Sequence, residues 1–197
     1  MNKIFIGSNN KGKLKEFADA FSNLKLDITN PNELGIDTEI DETGNTFLQN
    51  SLIKARVWVK LSKLPTLVDD SGLCVDYLEG KPGVLSARFI QGSDNDRNLK
   101  ILELLKGVPL AKRTAHYTCV IAFIDPKTQI ETTTTGICEG VILEQPSGKD
   151  GFGYDPIFQP LNYSQSFGEL PLEIKQQISH RAKALAKMVD YLKKWSH

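Results

Sequence analysis

The sequence is short of the residues that mark several common protein classes, and each shortage closes an option. Cysteine occurs three times, as Cys74, Cys119 and Cys138. The number is odd and no CxxC pair is present, so neither a disulfide framework nor a cysteine zinc site is indicated. Cys119 and Cys138 fall in strand-like stretches, where a thiol serves as a small core residue, and the chain reads as cytoplasmic and reduced. Histidine is as scarce. His116, His180 and His197 offer no close cluster for zinc, so any metal falls to carboxylates. Neither sign of charge is in excess: Lys plus Arg and Asp plus Glu number 24 each, so no global field draws the chain to nucleic acid or membrane, and anion binding must be local. No apolar run approaches the roughly 18 residues of a membrane span. The opening Ile4-Phe5-Ile6 is too short for a signal peptide, and polar Ser8-Asn9-Asn10 follows at once. There is no internal repeat and no low-complexity linker.

What is present is an ordinary globular composition with alternating strand and helix patterns. Lys3 to Gly7 reads as a short strand, and Lys11 to Phe21 as a helix with Leu14, Phe17, Ala18 and Phe21 on one face. A loop broken by Pro31 and Gly35 leads to a long helix with Leu48, Leu52, Ala55 and Val59 as its stripe, ended by Pro65. Thr66 to Val68 reads as a strand running into Asp69-Asp70-Ser71-Gly72, with Leu73 to Val75 apolar again. Asp96 to Leu105 reads as a helix through Leu99, Leu102 and Leu105. Arg113 to Ile124 and Gln129 to Ile142 read as a hairpin turning at Asp125 to Thr128. Ser179 is a natural N-cap for a last helix carrying Ala182, Leu185, Met188, Val189 and Leu192. The fold class is α/β with an antiparallel hairpin in the sheet.

Four polar clusters stand out. In the first, a strand, then Ser8, Asn9 and Asn10, then a helix with Lys13 one turn in, offer free amides and a full charge to phosphate; an ordinary helix cap is the plain alternative. The second is Asp69-Asp70 with Ser71, adjacent carboxylates that are costly unless a cation or proton is shared; a turn whose Asp and Ser side chains cap its own backbone is the plain alternative. Magnesium, which takes one or two carboxylates plus phosphate oxygens, suits the pair, with Glu42 as a second acidic contributor. Side chains alternate along a strand, so Asp69 and Asp70 are not expected to face the same way. The third is Gly151 to Pro156, where glycines permit close approach to a ligand and Phe152 and Tyr154 offer flat faces for a base; aromatics that lie as lids over the core are the plain alternative. In the fourth, Lys175, His180 and Arg181 surround the start of the last helix, where cations are unfavourable unless an anion or electron-rich oxygen stands in front; a surface basic pair is the plain alternative.

Six segments resemble, in order, the inosine/xanthosine triphosphate pyrophosphatase family: SNNKGKLKE from Ser8, ETGNTFLQNSLIKA from Glu42, DDSGLCVD from Asp69, GKPGVLSARF from Gly80, GKDGFGYDPIF from Gly148 and ISHRAKAL from Ile178. The resemblance implies a single two-lobed domain over 1–197: an elongated, twisted mixed β-sheet with helices at both ends and two lobes flanking a substrate cleft. It further implies a homodimer and a requirement for Mg²⁺. Carried over residue by residue, Ser8, Asn9, Asn10 and Lys13 hold the phosphates and Lys54 reaches them from the long helix. Asp70 binds the metal and acts as base, with Glu42 beside it. Ser71, Phe152, Gly153, Tyr154, Asp155, Lys175, His180 and Arg181 line the nucleoside pocket. The chain departs from the family at Ile174, where an acidic residue is usual, at Leu85, where tyrosine is common, and over Gly168 to Pro171.

The implied reaction is hydrolysis of ITP, dITP or XTP to the monophosphate and pyrophosphate. Lysine and arginine only donate hydrogen bonds, so beside C6 they accept an oxo group and oppose the amino group of adenine. A nucleotide sensor without turnover and a pyrophosphatase for other modified nucleotides are the alternatives. A nucleic-acid module would need a basic stripe that the balanced charge does not provide.

Overall fold

A computed structural model describes residues 2–195; Met1, Ser196 and His197 lie outside them, and with His197 one of the three histidines weighed above. In chain order the elements are β1 (Asn2–Ile6), α1 (Lys11–Phe21), β2 (Leu26–Thr29), α2 (Phe47–Ser62), β3 (Thr66–Val75), β4 (Lys81–Pro82), α3 (Asp94–Leu104), β5 (Thr114–Ile124), β6 (Glu131–Ile142), β7 (Phe158–Pro160), α4 (Leu172–Ile178) and α5 (His180–Trp195). The strands form one mixed sheet in the order β2-β1-β3-β5-β6-β7, with β4 added on β3. β1 runs parallel to β2 and β3, whereas β4 and β7 are antiparallel to their neighbours. The α/β class read from the sequence is the class observed.

The chain divides into two compact units. The first takes the chain up to Asp70, Cys119–Gly136 and the chain from Arg181 on; the second takes Ser71–Thr118 and Ile137–His180. In the first unit both faces of the sheet are covered. Ile4, Ile6, Leu67, Cys119, Ile121 and Phe123 pack with Phe17 and Phe21 of α1 and with Ala184, Leu185, Met188 and Leu192 of α5. Residues of opposite parity, Phe5, Val68, Ala122 and Ile124, pack with Ala55 and Trp58 of α2. Burial on both faces is why these strand segments are continuously apolar rather than alternating.

The second unit is built differently. Leu73, Val75, Ala115, Tyr117, Cys138 and Ile142 join Ile101, Leu105, Ile157, Phe158 and Phe167 in one core. Their neighbours on the opposite parity, Asp76, Thr114, Ile137 and Glu139, are exposed, so one face of the sheet meets solvent. Buried Arg113 braces this unit: it donates from Nε to the Ile142 carbonyl (2.8 Å), from Nη1 to Leu105 at the end of α3 (3.2 Å), and from Nη2 to the Leu143 carbonyl. Arg113→Met takes a donor from all three carbonyls, and of these the Leu105 carbonyl keeps the Val108 N–H at 3.0 Å. At roughly 1–3 kcal/mol for a buried unsatisfied acceptor, partly relieved by relaxation, a loss of about 3 kcal/mol is expected. That corresponds to a fall in Tm on the order of 6–12 °C in a thermal melt; a shift under about 2 °C would contradict this role.

Several expectations need correction. Leu48 and Leu99 do not belong to buried stripes: they are 45% and 50% exposed, while Asn50 and Ser51 of α2 and Asn98 and Ile101 of α3 are buried. Asn50 is drawn inward because its Oδ1 accepts the Gly44 N–H at 2.8 Å, which ties the preceding loop to α2. The chain passes so closely there that a Cβ on Gly44 would stand 2.7 Å from that oxygen. The Asp69-Asp70 pair lies inside β3 rather than at a strand end, α3 begins earlier, at Asp94 after a Ser93–Asp96 capping box, the loop expected after α1 contains β2, and α4 forms where the sequence pattern indicates no element. On the last helix Ala184 is fully buried and Ala182 only partly so. Ile174, the departure from the family pattern, packs against the second unit's core, where an apolar side chain fits.

Candidate active site

Parity along β3 organises the acidic residues of the first unit. Leu67 and Asp69 face the side covered by α1 and α5; Val68 and Asp70 face the side covered by α2. Asp69 Oδ2 lies 3.0 Å from Lys13 Nζ on α1 and 3.2 Å from Arg181 Nε on α5, and Arg181 Nη1 donates to Glu16 Oε2 at 2.7 Å. Burial works against a charged Asp69, but Lys13, Arg181 and Lys54 outweigh it and hold the carboxyl well below its ordinary range. The same carboxylates outweigh the burial of Arg181 and hold its guanidinium firmly charged. The anion expected in front of the α5 start is therefore supplied by the chain itself. Arg181, expected in the nucleoside pocket, is 3% exposed and engaged by two carboxylates.

On the opposite face Lys54 Nζ donates to Glu42 Oε1 at 2.6 Å and to Asp70 Oδ1 at 2.7 Å. The pair is not symmetric. Burial opposes the Lys54 ammonium, yet Asp70 and then Asp69 more than compensate and its pKa rises. Burial also raises the pKa of Asp70; Lys54 pulls it back, but Glu42 and Asp69 add to the rise. Asp70 Oδ2 is buried and has no hydrogen-bond partner among the described residues. A buried carboxylate oxygen left open costs free energy and marks a place for a proton or a cation.

Between β1 and α1 the polar turn does local work. Asn10 caps α1, its Oδ1 accepting the Lys13 N–H at 3.1 Å, and Ser8 Oγ accepts the Asn10 N–H at 3.2 Å. Asn9 Oδ1 accepts the Asn32 N–H at 3.2 Å. This is the capping arrangement weighed as the plain alternative, and it coexists with the Lys13 charge in the first turn.

In the second unit Lys175 on α4 is buried, its Nζ 2.5 Å from Asp155 Oδ2, 4.9 Å from the centre of the Phe152 ring and 5.7 Å from that of Phe167. Asp155 Oδ2 also accepts the Phe152 N–H at 2.7 Å. Gly151 adopts φ +82°, and a Cβ there would stand 2.1 Å from that same oxygen, so the loop closes over Asp155 only with glycine. Phe152 keeps 38% exposure. Tyr154 does not offer a face for a base: it is 4% exposed, packed in the core, with its hydroxyl donating to the Ser86 carbonyl at 2.8 Å. Gly153 is held from α3, its N–H donating to Asp94 and its carbonyl accepting from Asn98. His180 stacks on Tyr117, rings 4.5 Å apart and 6° from parallel. Ser71 follows on β3, half-buried. Glu16, Tyr117 and Phe167 are the participants that sequence reading missed. Glu16 alone left a signal, three residues after Lys13 on the same helix.

A mixed sheet carrying buried carboxylates and cations in one unit, and a lysine set among aromatic rings in the other, defines an α/β protein with charged groups built into both units. The particular family follows from comparison: residues 4–191 match the Ham1 family, and the chain belongs to it. It is 45% identical to a dITP/XTP pyrophosphatase of Desulforamulus reducens, covering 96% of this chain and 95% of that protein. It is 44% identical to one from Thermoanaerobacter pseudethanolicus, covering 98% and 97%. A solved structure of a HAM1 protein from Coxiella burnetii superposes with a TM-score of 0.90 at 36% identity, covering 98% of this chain and all of that one.

Proposed function

We propose that this protein hydrolyses non-standard purine nucleoside triphosphates, ITP, dITP and XTP, to the monophosphate and pyrophosphate, clearing them from the nucleotide pool. The observation that carries the reading is the arrangement around Asp70, with one carboxylate oxygen on Lys54, beside Glu42, and the other left open in a buried position. Ser8, Asn9, Asn10, Lys13 and Lys54 serve the triphosphate. Ser71, Phe152, Gly153, Asp155, Lys175 and His180 serve the base. Tyr154 and Arg181 support the two clusters from within.

The donor set fits Mg²⁺. Among the described residues no group of three or more His, Cys, Asp or Glu forms a ready cage, and Mg²⁺ needs none: it binds through one or two carboxylates and completes its shell with water and substrate phosphate. Asp70 would hold it, with Glu42 as second contributor. Bound there, Mg²⁺ supplies charge neutralisation and polarisation of phosphate oxygens. Asp70 Oδ2 takes the proton of the attacking water as the new bond to the α-phosphorus forms. The bridge to the β-phosphate breaks, and Lys13 and Lys54 take up the charge that develops on pyrophosphate. Among the described residues no helix is long and apolar enough to cross a membrane. The protein works in the cytoplasm, as a homodimer.

The test is a side-by-side panel of ITP, dITP, XTP, GTP and ATP with Mg²⁺, resolving pyrophosphate from orthophosphate. Pyrophosphate release from the 6-oxo nucleotides well ahead of ATP is expected. Equal or faster release from ATP overturns the base assignment. Binding of ITP without any product would make the protein a sensor.

A further inference from the structure

Two adjacent buried aspartates on one strand invite the same role, and the geometry separates them. Asp70 faces α2 with one oxygen open, whereas Asp69 faces α1 and α5 with Oδ2 set between two cations. Lys13 is the third helical residue of α1, after the Asn10 cap, and its side chain is 21% exposed. A free lysine at such a position samples many rotamers, and its ammonium has three N–H donors to distribute. Asp69 takes one of those donors at a fixed point. Asp69 cannot drift, because Arg181 holds the same oxygen from α5 while Glu16, three residues beyond Lys13 on α1, holds Arg181. The chain Glu16–Arg181–Asp69–Lys13 thus closes from α1 to α5, through β3 and back to α1, with its four charges balanced.

We infer that Asp69 is the positioning residue for Lys13: it fixes the ammonium so that its two remaining N–H groups meet the triphosphate in one orientation, and it is neither metal ligand nor base. The inference rests on the triphosphate reading of the first unit. Positioning is a matter of rate more than of attraction, since a misplaced ammonium still draws an anion, while an ångström of misplacement costs up to about 100-fold in turnover.

Asp69→Asn, Lys13→Met and the double variant decide the matter. Two quantities are read: steady-state pyrophosphate release from ITP with Mg²⁺, and calorimetric affinity for ITP in EDTA, where no turnover occurs. Asp69→Asn should lower kcat about 10- to 100-fold while ITP affinity in EDTA moves by less than about threefold. In the Lys13→Met background the same Asp69→Asn change should alter kcat by less than about threefold, because residues acting through one another are not additive. Equal losses with and without Lys13, or an unchanged kcat in Asp69→Asn, overturn the inference. If Asp69→Asn does not fold, the unaltered protein with ¹⁵N-labelled lysine decides. The Lys13 ammonium signal, assigned by its loss in Lys13→Met, should be ordered and slow to exchange in the free protein, and a signal averaged like those of exposed lysines overturns the role. Failure of the wild type to release pyrophosphate removes the functional reading itself; wild-type turnover with additive variants removes only the role of Asp69.

Discussion

Asp70→Asn should bind ITP as well as the wild type does and release almost no pyrophosphate. Asparagine keeps the shape of the side chain, and Lys54 retains its contact to Glu42 at 2.6 Å, so the cation stays in place. Removing a negative charge beside the phosphates does not weaken ground-state attraction, and affinity in EDTA should hold or improve. Turnover is different. Asp70 combines an open oxygen with burial that raises its proton affinity above that of an ordinary carboxylate. An amide can neither accept the proton of water nor hold a divalent cation with a full charge. The general-base contribution alone is typically about 10²–10⁴-fold, and loss of the metal anchor adds to it. Single-turnover pyrophosphate release measures the sum. Retention of more than about a tenth of wild-type turnover would show that Asp70 is not the base and would move attention to Glu42.

How much of this was legible beforehand depended on whether the determinant was local. The β1–α1 turn was readable because a strand, three small polar residues and an amphipathic helix follow one another directly, and the bounds expected for α1 are those observed. The opposed directions of Asp69 and Asp70 were readable too, from strand alternation. Partner choice was not. Arg181 meets Asp69 across 112 residues of sequence, and nothing in the composition of either segment distinguishes an internal carboxylate from a substrate oxygen as the anion in front of α5. Burial was misread wherever hydrogen bonding overrode hydropathy. Asn50 is buried by its bond to Gly44, and Leu48, two residues earlier, is left outside. Tyr154 was read as a base platform because glycines flank an aromatic pair; only one of the two rings, Phe152, reaches the surface, and the other anchors the loop to the Ser86 carbonyl. β2 and α4 were missed because four and seven residues are too few to establish a period.

The preference for 6-oxo purines should narrow sharply in Lys175→Met. Lys175 carries the ammonium of its cluster, and its setting restricts what it can do. Asp155 takes an N–H at 2.5 Å, and the Phe152 and Phe167 rings at 4.9 and 5.7 Å stabilise the charge without accepting a conventional hydrogen bond. The two donors that remain are directional and cannot become acceptors. Presented to C6, either one rewards an oxo group and leaves adenine's amino group facing another donor. A charge-assisted hydrogen bond contributes about 1.5–3 kcal/mol, so kcat/KM for ITP should fall by roughly 10- to 100-fold while that for ATP changes little, and the ITP:ATP ratio should contract by the same factor. Methionine keeps the length of the stem but leaves Asp155 buried without its cation, a defect that costs stability in its own right. The Lys175→Met/Asp155→Asn double variant removes that charge, and the side-chain amide oxygen it introduces can still accept the Phe152 N–H. If the ratio contracts in both variants, discrimination lies in the donor; if it recovers to the wild-type value in the double variant, Lys175 serves only to neutralise Asp155, and the 6-oxo preference must arise from another group such as His180, stacked on Tyr117.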